Sequence, residues 1–255
     1  MTSLFSLVSP TELALAFAIA CLAGVIKGLV GFAMPMILIS GLGMFLPPEI
    51  ALAGLILPTL VTNGMQALRQ GWKPAWESVK RFRVFMIIGL VFLLISAQFV
   101  RVLPVNVMLL VIGVPITGFA FMQLIGFSFN LAAPSKRIEA VIGAFAGFIG
   151  GLSGVWGPPT VAYLTALNTP KEEQIRVQGV IYGAGAVALL GAHIGSGVMR
   201  LETLPFSVFL LVPAVLATWV GLQLQTRIDQ VTFKRATLFV LLIAGLNLVR
   251  RGVMG

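Results

Sequence analysis

The chain has 255 residues, of which 58% are hydrophobic and only 10% are charged, too few charges to cover a soluble domain of this length. The composition therefore indicates an integral membrane protein. The net charge of +9 is explained by basic residues clustered between apolar segments, as in cytoplasmic loops, and we expect no nucleic-acid partner. A single cysteine, Cys21, excludes an internal disulfide and a cysteine-based metal site.

The apolar stretches follow a pattern that occurs twice along the chain. Residues 11–46 come first, and as one helix they would reach about 54 Å against a hydrocarbon core of about 30 Å. This stretch is interrupted at GLVGFAMP (28–35). A second long stretch, 138–168, is interrupted at 150–159. Each is followed by three predicted membrane helices, at roughly 50–68, 84–101, 105–126, then 175–198, 206–225 and 233–250.

The two interrupted stretches align without a gap. AGVIKGLVGFAMP (23–35) and AGFIGGLSGVWGP (146–158) share seven of thirteen residues. At the same offset of 123, Pro47 and Glu49 match Pro170 and Glu172. We therefore predict an all-α membrane protein with one transport domain (1–255) and two homologous repeats, at about 8–126 and 134–250.

Basic residues distinguish two topologies. The segment 69–83 carries five Lys and Arg and is predicted to be cytoplasmic. If each interrupted stretch crosses once, the repeats are parallel, and the basic residues of 168–176 and 226–235 fall outside. If each is a re-entrant hairpin of two short helices, each repeat crosses three times and the second is inverted. Charge favours the inverted arrangement, which keeps those residues in the cytoplasm and both termini outside.

The breaks predict where a substrate binds. Irregular backbone at membrane depth must be shielded by protein or line a watery cavity, and paired breaks in two repeats mark transporter sites. Pro35 and Pro158 suit the first turn of a helix, so short helices are predicted over 35–46 and 158–168. Helix N-termini near the membrane centre would attract an anion, and the glycines would let it approach the backbone.

Lys27 is the only basic residue among the first 68. A buried ionisable group in a membrane segment is a functional candidate, although a lysine can also snorkel to a headgroup. Asn63 and Tyr182 could bind anion oxygens or make helix–helix hydrogen bonds. Trp156 could line the cavity or pack the hairpin tip. The predicted substrate-binding residues are Lys27, Gly28, Gly31, Phe32, Met34, Asn63, Gly151, Ser153, Gly154, Trp156, Gly157 and Tyr182.

Other polar residues have simpler interpretations. His193 is the only histidine and could carry coupling protons, but an interfacial role with a backbone partner is favoured. Glu49 and Glu172 precede long helices, where a carboxylate offsets the helix dipole. We predict no cofactor. The coupling ion, a proton or sodium, and homo-oligomer formation are open at this point.

The duplicated block G-x-x-x-G-x-x-G-x-x-x-P, present as GVIKGLVGFAMP and GFIGGLSGVWGP, resembles the TauE/SafE family of membrane permeases. The spans IALAGLILPTLVTNG and QIRVQGVIYGAG strengthen the resemblance, which covers nearly the whole chain. It implies a multi-pass protein of the bacterial inner membrane that transports small sulfur-containing anions, such as sulfite or organosulfonates. The family pattern needs only a small or apolar residue at Lys27, so no family role is carried onto that lysine.

Other classes of function are less consistent with the sequence. There is no Walker motif for an ATP-driven pump. An intramembrane enzyme would need paired carboxylates, a Ser–His pair or a metal cluster within the spans, whereas the acidic residues lie near segment ends. A passive anion channel lined by the two breaks, or a transporter of another small anion, is the alternative to a carrier of sulfur-containing anions.

Overall fold

The computed structural model describes residues 8–97, 104–127, 131, 135–153, 156–195 and 197–254. Within these residues the chain forms eleven α-helices and no strand. In chain order they are α1 (Pro10–Val30), α2 (Met34–Leu42), α3 (Pro48–Leu68), α4 (Trp72–Arg81), α5 (Arg83–Ala97), α6 (Val105–Leu124), α7 (Lys136–Ser153), α8 (Gly157–Ala166), α9 (Lys171–Gly195), α10 (Leu204–Arg227) and α11 (Gln230–Met254).

The all-helical prediction is confirmed for the described residues, and the six uninterrupted segments correspond to α3, α5, α6, α9, α10 and α11. Four described helices, α1, α3, α10 and α11, are long and apolar enough to cross a membrane. Helix α4 was not predicted, because a run with five Lys and Arg between residues 69 and 83 indicates a loop. Glu49 and Glu172 lie in the first turns of α3 and α9, as predicted.

The first break separates α1 from α2. Gly31 ends α1 in the left-handed conformation, with φ 91°, which glycine adopts without steric cost. Its N–H donates to Lys27 O at 2.7 Å. Ala33 is also left-handed, with φ 77°, directly before α2. Pro35 lies in the first turn of α2, as predicted, and Pro158 has the same place in α8.

The break differs from the predicted hairpin in the length of its first arm. Helix α1 has 21 residues, or about 31 Å, rather than being short. Helix α2 has nine residues and runs back along α1, because Gly41 packs against Ile19. The predicted short helices 35–46 and 158–168 end earlier, at Leu42 and Ala166.

Contacts between Cα atoms divide the chain into two compact units, of which the first comprises residues 1–71 and 178–228. In this unit α1 packs along α10. Phe17 lies against Phe209 with ring centroids 6.3 Å apart, and Gly28 lies against Gly221 further along both helices. Since residue numbers rise together on both sides of the contact, α1 and α10 run in the same direction.

Helix α3 also runs parallel to α10 within the first unit. Gly54 packs on Phe206 near the start of both helices. Arg69 Nη1 donates to Gln225 Oε1 at 2.9 Å near their ends. Helices α1 and α3 therefore run in the same direction, which means that α2 and the residues after it return the chain to the end of the unit from which α1 started.

The second unit comprises residues 72–177 and 229–255. Helices α5 and α7 run parallel, because Gly143 lies on Phe85 and Gly147 lies on Gly89 one turn further along both helices. Helices α6 and α11 run antiparallel: Gly113 lies on Val249 and Gly252 on Asn106. Small residues bring all of these backbones close together, which is how membrane helices gain packing energy without a hydrophobic driving force.

Candidate functional site

Lys27 is buried in the first unit, with 1% of its surface exposed. Its Nζ donates a hydrogen bond to Asn63 Oδ1, and Asn63 is fully buried in α3. The snorkelling interpretation is therefore excluded for this structure, since the ammonium points into protein. Its partner Asn63 is the sixteenth of the 21 residues of α3. The site therefore lies nearer to the C-terminal end of that helix than to its middle.

The face of α3 next to Lys27 carries a buried polar stripe. Thr59, Asn63 and Gln66 follow a spacing of four and three residues, which places them on one side of a helix. Gln66 Nε2 donates to Lys27 O at 3.1 Å. Thr59 Oγ1, Asn63 Nδ2 and Gln66 Oε1 have no hydrogen-bond partner within the described residues. Such buried polar atoms are rare in proteins and call for an explanation.

The polar stripe lies next to the start of α2. Thr62 Oγ1 lies 3.5 Å from Met34 Sδ, and Met34, the first residue of α2, is fully buried. The first-turn N–H groups of a helix have no partner within the helix and carry partial positive charge. A lysine, an unpaired amide nitrogen and a helix N-terminus therefore occur together in this part of the unit.

No carboxylate compensates the lysine. All eight aspartate and glutamate residues lie in segments that the structure describes, and none of them is paired with Lys27. Moving an ammonium from water into protein costs several kcal/mol unless an opposite charge offsets it. The site is therefore suited to an incoming anion.

Helix α9 closes another side of this region. Gly179 packs on the α3 backbone, where a Cβ would come within 2.7 Å of Gln66 Cβ. A Cβ on Gly183 would lie 3.8 Å from Asn63 Cβ. Gln178 is fully buried and its amide has no partner among the described residues, and Tyr182 follows one turn later, also buried. Sequence reasoning missed Gly179, although Gly179-x-x-x-Gly183 is the small-residue spacing of close membrane helices.

The predicted glycines of the first break have different surroundings. A Cβ on Gly28 would collide with the backbone of α10, with Gly221 Cα at 2.7 Å and Thr218 O closer still. Helix packing therefore explains Gly28, and direct contact with a substrate stays a prediction for it. Gly31 forms the turn itself. Phe32, which lies in the segment that connects α1 to α2, is buried.

The second break belongs to the other unit. Trp156 precedes α8, and a Cβ on Gly150 would lie 3.0 Å from both Trp156 Cβ and Cε3. Gly150 corresponds to Lys27 in the alignment, so the indole of Trp156 packs over the place where the first copy has its lysine. Gly157 begins α8, and Gly151 and Ser153 lie in the last turn of α7. The Ser153 side chain and Gly154 lie outside the described residues.

The family model for the sulfite exporter TauE/SafE family matches residues 16–248, which includes both breaks. The chain belongs to this family. The TauE/SafE match covers nearly the whole chain, and it carries the implication of a membrane transporter of the exporter type for sulfite and related sulfur-containing anions. Searches among curated proteins and among solved structures found no match.

Proposed function

We propose that this TauE/SafE protein is a secondary transporter of the bacterial inner membrane that moves a small sulfur-containing anion of the sulfite or organosulfonate type. The proposed site in the first unit is formed by Lys27, Asn63 and the N-terminus of α2. The observation that carries the proposal is the burial of Lys27 without a carboxylate partner. A bound anion would supply the missing charge and accept a hydrogen bond from Asn63 Nδ2.

A bound anion would complete the hydrogen bonding of the Lys27 ammonium. An ammonium has three donors, and Asn63 Oδ1 accepts one of them. An oxyanion has several acceptor oxygens for the remaining donors. Hydrogen bonds between charged groups are about twice as strong as neutral ones. The left-handed Ala33 adds local strain of the kind that accumulates at functional sites.

We further propose that the chain contains two inverted repeats in one transport domain. Helix starts agree with the offset of 123, since α2 and α8 begin at Met34 and Gly157, and α3 and α9 begin at Pro48 and Lys171. At that offset, the parallel pair α1–α10 of the first unit corresponds to the parallel pair α7–α5 of the second. The return of the chain before α3 supports three crossings in each repeat, and an odd number of crossings inverts the second repeat.

A thermal-shift screen against small oxyanions tests the proposed site, because a ligand that binds only the folded state raises the apparent stability. Sulfite and short alkylsulfonates are expected to raise the Tm of the wild-type protein and to leave the Tm of Lys27→Met unchanged. Lys136→Met, a change at an exposed lysine of α7, should respond like the wild type. An equal response of Lys27→Met and the wild type would show that the anion binds elsewhere.

Flux measurements in proteoliposomes distinguish a carrier from a passive channel. A carrier gives saturable uptake that is accelerated by unlabelled substrate on the opposite side, whereas a channel gives flux that does not saturate. Imposing a proton or a sodium gradient in the same vesicles identifies the coupling ion. Saturable counterflow of labelled sulfite is the expected result, and its absence together with unsaturable conductance would contradict the transporter mechanism.

A further inference from the structure

Helix α4 lies between two consecutive apolar helices. Helix α3 ends at Leu68, and a compact turn follows in which Gly71, with φ 92°, donates its N–H to Leu68 O at 2.8 Å. Helix α5 begins at Arg83, with Phe82 as the one residue between it and the end of α4. Both ends of α4 therefore lie within a few residues of apolar helices, of which α3 is long enough to cross a membrane and α5 is shorter. We expect these connections to keep α4 at one face of the bilayer.

One face of α4 packs on its own unit. Ala75 and Ser78 are buried, and Ser78 Oγ accepts a hydrogen bond from Arg176 Nε at 2.9 Å. Arg81 forms an ion pair with Glu173, which lies in the first turn of α9. These contacts fix which side of α4 points away from the protein.

The exposed side of α4 carries two large indoles. Trp72 is 70% exposed and Trp76 is 48% exposed. Their rings are stacked, with centroids 6.4 Å apart and planes 8° from parallel. Indoles with an apolar body and a polar N–H are enriched where a membrane meets water, whereas exposed tryptophan is unfavourable in bulk water.

The same face is basic. Residues 72–83 hold four Lys and Arg and one acidic residue, Glu77. Lys73, Lys80 and Arg83 are exposed. Lys80 Nζ lies 5.9 Å from the centroid of the Trp76 ring, so a cation and an aromatic face share one position on the surface. Basic residues next to a membrane helix attract anionic lipids by about 1 kcal/mol each.

We propose that α4 lies in the membrane–water interface and binds anionic phospholipid headgroups. Lys73, Lys80 and Arg83 contact the phosphates. The stacked indoles of Trp72 and Trp76 sit at the level of the glycerol groups. The positive charge of α4 is complementary to the negative charge of the lipid headgroups. This complementarity is the reason for proposing an anionic lipid as the partner of this surface.

Fluorescence quenching by brominated lipids tests the position of the indoles. The variant Trp156→Phe/Trp219→Phe leaves Trp72 and Trp76 as the only tryptophans, since the chain has four. Bromine near the headgroup is expected to quench its emission strongly, and bromine at the chain end or acrylamide in the water only weakly. Trp219, which is exposed on the membrane helix α10, is the control in a variant that lacks the other three. Strong acrylamide quenching without quenching by lipid would overturn the proposal and indicate a face that is open to water or to a protein partner.

Anionic lipid dependence tests the charges. Wild-type protein in phosphatidylcholine nanodiscs is expected to bind added phosphatidylglycerol on the order of tenfold or more tightly than Lys73→Gln/Lys80→Gln does. Lys136→Gln, which changes an exposed lysine elsewhere, should retain wild-type affinity. Folding of each variant is checked by its Tm without the anionic lipid. Equal phosphatidylglycerol affinity of wild type and the double variant would refute a headgroup site on α4.

Discussion

Lys27 combines burial, one neutral hydrogen-bond partner and no ion pair among the described residues. We expect Lys27→Met to leave the stability of the unliganded protein unchanged or to raise it, because the substitution removes the desolvation cost of a buried cation. Anion affinity should fall by about tenfold or more, since a charge-assisted hydrogen bond contributes roughly 1.5–3 kcal/mol. Titration calorimetry with sulfite and a thermal melt measure the two quantities separately. A loss of stability without a loss of affinity would assign Lys27 a structural role.

Asn63 allows a second test at the same position. Asn63→Asp places a carboxylate within hydrogen-bond distance of Lys27 Nζ without changing the size of the side chain. The new ion pair should raise the Tm of the unliganded protein and weaken anion binding, because the substrate then competes with an internal anion. Asn63→Leu should weaken binding without raising the Tm, because a carboxylate is not introduced. Unchanged sulfite affinity in Asn63→Asp would remove Asn63 from the site.

The residues of the proposed site can be predicted from the sequence, but their contacts cannot. In the sequence, Lys27 is conspicuous as a lone cation in an apolar run, and Asn63 as a polar residue within a predicted membrane helix. Their pairing follows from the parallel course of α1 and α3, which no local pattern in the sequence reveals. Trp156 packs on Gly150, a contact that the sequence alone does not reveal, and its contact with a substrate stays a prediction.

At the scale of elements, the glycines of α1 and α3 fall into two classes that sequence cannot separate, tightly packed ones and ones with open space. Gly28→Ala is expected to destabilise the protein by about 1–3 kcal/mol, the usual cost of overpacking, because its Cβ would meet α10 backbone. Gly64→Ala is the matched control, since a Cβ there has open space and alanine favours the helix by up to about 1 kcal/mol. Thermal melts in detergent compare the two. Equal Tm values would argue against close packing of α1 on α10.

The break before α2 offers a test of stored strain. Ala33 has φ 77°, and a left-handed alanine costs roughly 1–2 kcal/mol that glycine does not pay. Ala33→Gly should therefore raise the unfolding free energy by up to about 1 kcal/mol, after allowance for the extra flexibility of glycine in the unfolded chain. Chemical denaturation measures the change. Destabilisation of a similar size would mean that the methyl group of Ala33 contributes packing that outweighs the strain.

The six uninterrupted apolar helices were predicted to within four residues at each end, since long apolar runs and prolines at helix starts are strong local signals. Helix α4 was not, because its charges resemble those of a loop and its two tryptophans are too few to form a periodic pattern. The length of α1 was also not predicted. The glycine-rich sequence indicates where a helix breaks but not how far a preceding helix continues before the break.

For the whole molecule, the inverted repeat makes a prediction about membrane sidedness. Parallel repeats and inverted repeats both place Lys136 in the cytoplasm. They differ for Glu202, which precedes α10 and is exposed, because the chain crosses once between Lys136 and Glu202 if the repeats are inverted and twice if they are parallel. In the inverted arrangement Glu202 lies outside and the chain ends outside, whereas parallel repeats place both in the cytoplasm.

Cysteine labelling in intact cells measures this directly, because Cys21 is the only native cysteine and Cys21→Ser gives a background without one. In that background, we expect Glu202→Cys to react with a membrane-impermeant maleimide in intact cells. Lys136→Cys should react only after the cells are permeabilised, which shows that the reagent does not cross the membrane. Labelling of Glu202→Cys only after permeabilisation would contradict inversion and favour parallel repeats. The full-length chain is used in every case, so that each crossing before the tested residue is present.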